Sequence, residues 1–192
     1  MSQQHPLGHV YPSGCFIGFN AAIDRKAAEQ LAFMCGDAAK SRFTAVNLLL
    51  SSTGGILDHA YYLCSILDAL PIKIVTYNIG SVNSAAILPF VCGDERYAIP
   101  ASTFYFHQTH YPPPTDAVSA AFVSSRAKSI AREDERSASF VAQKIGASSK
   151  DVKNWQRSEL FMDTDTALAR AVIHGVKAPI IAPDALFVQV VI

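Results

Sequence analysis

Thr44–Leu50 (TAVNLLL) is an apolar run that stops at Ser51-Ser52-Thr53-Gly54-Gly55, and directly beyond it Ile56, Ala60, Leu63, Cys64 and Leu67 recur at helical spacing. A buried strand that gives way to an amphipathic helix across a glycine-containing turn admits few architectures. The same order recurs on both sides. Cys15–Phe19 is a short apolar run, Asp24 is placed to cap a helix, and Ala28, Leu31, Ala32 and Cys35 mark one helical face. Pro71 breaks the central helix, Ile72–Tyr77 (IKIVTY) reads as the next strand, Asn78–Asn83 as a turn, and a short apolar helix begins near Ser84. Arg96–Ile99 and Thr103–Phe106 read as further strands. Alternation of this kind, with short connections, predicts an α/β fold of right-handed βαβ units around a largely parallel sheet.

Beyond Tyr111 the character changes. Pro112-Pro113-Pro114 stops the preceding pattern, and a long Ala-, Ser- and charge-rich stretch follows over about 116–146. Val118, Ala121, Phe122, Ile130, Phe140, Val141 and Ile145 give it an intermittent apolar stripe, so one long helix, or two broken by a kink, is expected to protrude; such a helix usually packs against something, often another subunit. Ser148 with Asp151 resembles a capping box that opens one more helix. A final short helix near Thr166–His174 and an apolar tail, Leu186–Ile192, complete the chain. Residues 1–14 lack periodicity and read as a flexible arm, which leaves 15–192 as a single domain.

Half of the 192 residues are hydrophobic and 17% are charged, as expected of a compact globule able to hide further surface by self-association. The formal net charge is zero, so the basic footprint of a nucleic-acid binder is missing. Cys15, Cys35, Cys64 and Cys92 lie far apart among apolar or small residues, without CxxC or Cys/His metal spacing, and read as buried reduced thiols. The polar N-terminus has no signal-peptide pattern and no apolar run has membrane-spanning length, so a cytoplasmic protein is expected.

Open α/β sheets bind ligands where strands end and helices begin. Two such junctions stand out. Gly54-Gly55 can bring backbone N–H groups close to an anion, or can be an ordinary tight turn. Ser84 sits at a helix start, where it can cap the helix or act beside N–H groups that stabilise developing negative charge. Neither site matches a nucleotide-binding loop or the GxSxG elbow. His107, at the end of Thr103–Phe106, reads by itself as a core or edge histidine, and His59 and His110 are weaker candidates for chemistry.

The order of these pieces carries more than any one of them. The segments LLLSSTGGILDHAYYLCSIL, IVTYNIGSVNSAAILPFVCG and ERYAIPASTFYFHQ, with ELFMDTDTALARAVIHGV later, resemble the proteolytic subunit of the Clp protease over roughly Cys15 to Val176. The resemblance implies a Clp/crotonase-like fold with a protruding helical handle and a homo-oligomeric ring acting on peptide or unfolded-protein substrates. No cofactor is implied, and no nucleic-acid or membrane partner. By position, Ser84 is the implied nucleophile, His107 its general base, and the backbone N–H groups of Gly55 and Ala85 the oxyanion hole, with Gly54 shaping the turn. The acid falls on Glu159, where the family has an aspartate, with Asp163 or Asp165 as alternatives.

Departures from the family pattern bear on function. Ala85 and Ala86 follow the serine where a methionine and a glycine are usual. Thr109-His110-Tyr111 and three prolines replace a glycine-containing strand that lines the family's peptide channel and helps to stack its rings. The short N-terminal arm argues against assuming an ATP-driven unfoldase as partner. A serine peptidase is therefore weighed against an inactive structural or regulatory homologue and against an acyl-CoA enzyme of the wider fold.

Overall fold

The computed structural model describes residues 14–41, 43–183 and 185–191. Its backbone is a mostly parallel sheet. Strands β1 (Gly14–Asn20), β2 (Ala45–Ser52) and β3 (Lys73–Asn83) lie side by side, linked by helices α1 (Arg25–Lys40) and α2 (Leu57–Ala69). All but the last residue of β1 are buried, as expected of strands covered on both faces. The Asp24 carboxylate accepts from Ala27 N at 2.8 Å and starts α1, whose Ala28, Leu31, Ala32 and Cys35 enter the core. The expected arm lies, apart from Gly14, outside the described residues.

β3 differs from its sequence reading in a way that shapes the site. The turn expected over Asn78–Asn83 is instead a continuation of the strand. Buried Asn78 resolves the conflict: its Oδ1 accepts from Gly80 N, and its Nδ2 donates 2.8 Å to the carbonyl of Thr103. The turn-favouring residues are thereby absorbed into a bulge, where the β2–β3 register shifts between Leu50 and Ser52. Before the bulge β3 pairs with β4 (Glu95–Ala98); after it, with β5 (Thr103–Phe106). The bend thus carries the end of β3 alongside the strand that precedes His107.

A 3-10 turn, Ser84–Ala86, follows β3 and leads into α3 (Ile87–Val91), which is wholly buried. The long segment is one continuous helix, α4 (Ala120–Ile145), capped by Ser119 and ended by Gly146 in the left-handed region at φ 73°. Its first turns are exposed, while Ser137, Ala138, Val141, Ala142 and Ile145 pack inward. Ser148 Oγ accepts from Asp151 N at 3.1 Å and opens α5 (Ser149–Arg157). β6 (Leu160–Met162) then pairs antiparallel with β5 at the sheet edge. The last helix, α6 (Thr164–Ala169), begins earlier than its apolar pattern suggests because Asp163 caps it. It stops where buried Arg96 takes the carbonyls of Ala171 and Val172, each through a guanidinium N–H. β7 (Gly175–Val176) pairs with β4, and β8 (Phe187–Gln189), inside the expected apolar tail, pairs with β1. All four cysteines are free and buried. Among the described residues no helix is long and apolar enough to cross a membrane.

Candidate functional site

Ser84 stands at the junction of β3 and the 3-10 turn with φ 55°. A non-glycine residue in the left-handed region is strained, and such strain persists only where the surroundings enforce it. Here the enforcing neighbour is the glycine turn after β2. A Cβ on Gly54 would lie 2.7 Å from both Asn83 O and Ser84 Cβ, and one on Gly55 would lie 2.3 Å from Ile23 O. Both glycines also have positive φ, so the two turns pack backbone to backbone only because neither carries a side chain. Around them Ile23 N donates to Gly54 O and Ile56 N to Ile23 O, while the amides of Gly55 and Ala85 take no part in these turn bonds.

Ser84, Ala85, Gly55 and His107 line one cleft of about 210 Å³, walled further by Leu57, Ile87, Leu88 and Val141. The 2.6 Å contact between His107 Nδ1 and the carbonyl of Gln108 makes Nδ1 the ring's N–H donor. That tautomer leaves Nε2 with its lone pair, the form a general base requires. The ring is stacked on Tyr105, centroids 5.1 Å apart, and His110 lies 4.7 Å away on the same measure. Among the described residues no hydrogen bond yet joins Ser84 to His107, a contact that often tightens only with substrate bound.

Glu159 is exposed and at φ 49°, just before β6. The β5–β6 pairing sets Phe106 against Leu160, so one further step along the same register brings Glu159 level with His107. The two side chains are not hydrogen-bonded among the described residues. Asp163 is occupied as the cap of α6, accepting from Thr166 N at 2.8 Å, and hydrogen bonding from the Thr166 side chain first, then from its backbone, holds the carboxyl below the usual aspartate range. Asp165 lies exposed in the first turn of the same helix.

Three residues absent from the sequence reading complete the site. Asp134, buried on α4, accepts from Thr109 N at 2.7 Å and from Gln108 Nε2 at 3.0 Å, pinning the segment that carries His107 to the long helix. Ser137 and Gln156, from α4 and α5, line the cleft and bond to one another. Residues 107–119 form no strand. This arrangement sets a serine hydroxyl, an imidazole and the backbone of Gly55 and Ala85 around one cleft.

Comparison with known proteins gives a family and a fold. Residues 15–179 match the family model described as Clp protease. No curated protein matches the sequence. Among solved structures, a point mutant of ClpP1 from Listeria monocytogenes is similar in fold, with a TM-score of 0.74 at 16% identity, over 88% of this chain and 92% of that one.

Proposed function

The chain belongs to the Clp protease family, and from that premise we propose that it is a serine-type peptidase working through an acyl-enzyme. One observation carries the reading: strained Ser84 shares a cleft with a histidine whose Nε2 is free to take a proton. In the first step Ser84 Oγ bonds to the scissile carbonyl carbon while its proton passes to His107 Nε2. The carbonyl oxygen becomes an oxyanion within reach of the Gly55 and Ala85 amides, a type of interaction whose loss costs about 10²–10³ in kcat. Collapse breaks the C–N bond, and the leaving amine takes the proton from His107. Water, activated by the same imidazole, then releases the acid and restores Ser84.

Glu159 is the proposed acid, since the strand register brings its backbone level with His107. A swing of its exposed side chain onto Nδ1 would replace the Gln108 carbonyl and supply the negative charge that a carbonyl lacks. Self-assembly belongs to the same reading, because the first turns of α4, including Phe122 and Val123, are exposed. The described state also favours a second reading, an inactive homologue, because His107 Nδ1 is held by a neutral carbonyl. Intact-mass analysis after fluorophosphonate treatment separates the two. A single adduct on wild type, lost in Ser84→Ala and slowed in His107→Ala, supports the peptidase. No adduct on the assembled protein selects the inactive homologue.

A further inference from the structure

His107 is held by aromatic rings as well as by a hydrogen bond. Tyr105 lies two residues before it, and the two rings stack with centroids 5.1 Å apart and planes 26° from parallel. Tyr105 in turn stacks on Phe161, at 4.0 Å and 15°. Phe161 is 68% exposed and so gains little from the core; among the described residues its ring contact is with Tyr105. Strand pairing fixes this column from both sides. Tyr105 lies opposite Phe161 of β6 and opposite Asn83 of β3, the residue before Ser84. His110 also approaches His107, at 4.7 Å between centroids, but it is exposed and stands in a segment without a strand. A ring carried by a paired strand is the firmer support.

The chemistry gives this column a task. When His107 takes the Ser84 proton it becomes an imidazolium, and that charge needs a stabilising neighbour. Among the described residues Nδ1 meets the Gln108 carbonyl, and no hydrogen bond joins the ring to a carboxylate. An aromatic face attracts a cation within about 6 Å of the ring centroid, and Tyr105 stands inside that limit. A neutral imidazole gains less from the same contact. The interaction is therefore stronger in the transition state than in the ground state, which is the condition for lowering a barrier. Stacking engages the face of the imidazole and leaves its two nitrogens, which bond in the ring plane, free for the serine proton and for the acceptor at Nδ1. A leucine at position 105 would fill space but offer no such face.

Resting on the peptidase reading, we propose that Tyr105 is a positioning residue for the reaction: braced by Phe161, its ring fixes the His107 imidazole and stabilises the positive charge that forms on it. The test is saturation labelling of Ser84 by a fluorophosphonate in the full-length protein, read by intact mass. It compares wild type with Tyr105→Leu, Tyr105→Phe and a form carrying ring-trifluorinated phenylalanine at position 105. Tyr105→Leu should lower the maximal labelling rate about tenfold, and Tyr105→Phe, which restores the ring, should recover most of it. Fluorination drains electron density from the ring face while nearly keeping its shape. The fluorinated form should therefore label about two- to fivefold more slowly than Tyr105→Phe, at the same urea midpoint and the same half-saturating probe concentration. A ring that only packs would give equal rates, so equal rates overturn the proposal, as does a wild-type rate in Tyr105→Leu. Should Tyr105→Leu not fold, the fluorinated form against Tyr105→Phe decides. A labelled wild type with a rate insensitive to fluorine removes the role of Tyr105 alone, whereas no labelling of wild type removes the peptidase reading and this role with it.

Discussion

Replacing Asp134 with alanine tests whether the long helix α4 positions His107, the proposed general base. The carboxylate is 9% exposed, accepts two hydrogen bonds from the Gln108–Thr109 segment, and has no Lys or Arg ion-pair partner among the described residues. Hydrogen bonds to a charged group contribute about 1.5–3 kcal/mol each, so the pair is worth about 3–6 kcal/mol gross. Removing a buried, uncompensated charge returns part of that. Alanine also leaves the half-buried Thr109 N–H without its acceptor. The balance predicts a loss of about 2–4 kcal/mol, read as a lower urea midpoint. Asparagine keeps an oxygen for Thr109, and a turned Gln108 amide can accept from its nitrogen, so Asp134→Asn should lose only about 1 kcal/mol. Because His107 adjoins the pinned residues, a shift of about 1 Å there should slow fluorophosphonate labelling of Ser84 by about 100-fold in the alanine variant. Wild-type labelling with reduced stability would show that the anchor holds the fold but not the imidazole. An unchanged urea midpoint would refute the energetic argument itself.

Gly54→Ala places a Cβ 2.7 Å from Ser84 Cβ on a backbone at φ 94°, and should cost about 2–5 kcal/mol from strain and overpacking while abolishing Ser84 labelling. Stability should also depend on pH through His174. Burial first, and Arg96 second, push its imidazole below the ordinary histidine range, and its Nδ1 accepts from Arg96 N at 3.1 Å, which a protonated ring could not do. Below a pH of about 6.5 the unfolded chain takes up this proton before the folded one, so stability is full above that value and falls as pH drops toward the folded pKa. Thermal melts between pH 7 and 5 should show this loss, and His174→Gln should flatten it; an identical slope in the variant rules His174 out. The thiols of Cys35, pushed up to about 12 by burial, and of Cys64, raised further by burial beside Cys92, should resist iodoacetamide in the native state and react on unfolding. Rapid native-state modification, read by peptide mass mapping, would contradict their burial.

Local patterns were legible because they rest on chemistry within a few residues. The strand before Gly54-Gly55, the helix face after it, the Asp24 and Ser148 caps and the Thr103–Phe106 strand all follow from periodicity and from side chains that bond their own backbone. The order of these junctions pointed to Ser84 and His107, and the fold brings both to one cleft. Where local composition misled, a distant partner had intervened. Asn78, Gly80 and Ser81 look like a turn, yet Thr103 captures the Asn78 amide and keeps them in a strand. Nothing in Ala131-Arg132-Glu133-Asp134-Glu135 separates Asp134 from its acidic neighbours, because which carboxylate faces Thr109 depends on how α4 is rotated against β5. The same holds for the strained φ of Ser84, which a glycine turn from another strand enforces, and for the bond between Ser137 and Gln156, which joins two helices. The sequence by itself determined most of the strands and helices and which residues are candidates for the chemistry. Tertiary packing decided how the candidate site is held, because that depends on contacts between residues that only the folded sheet brings together.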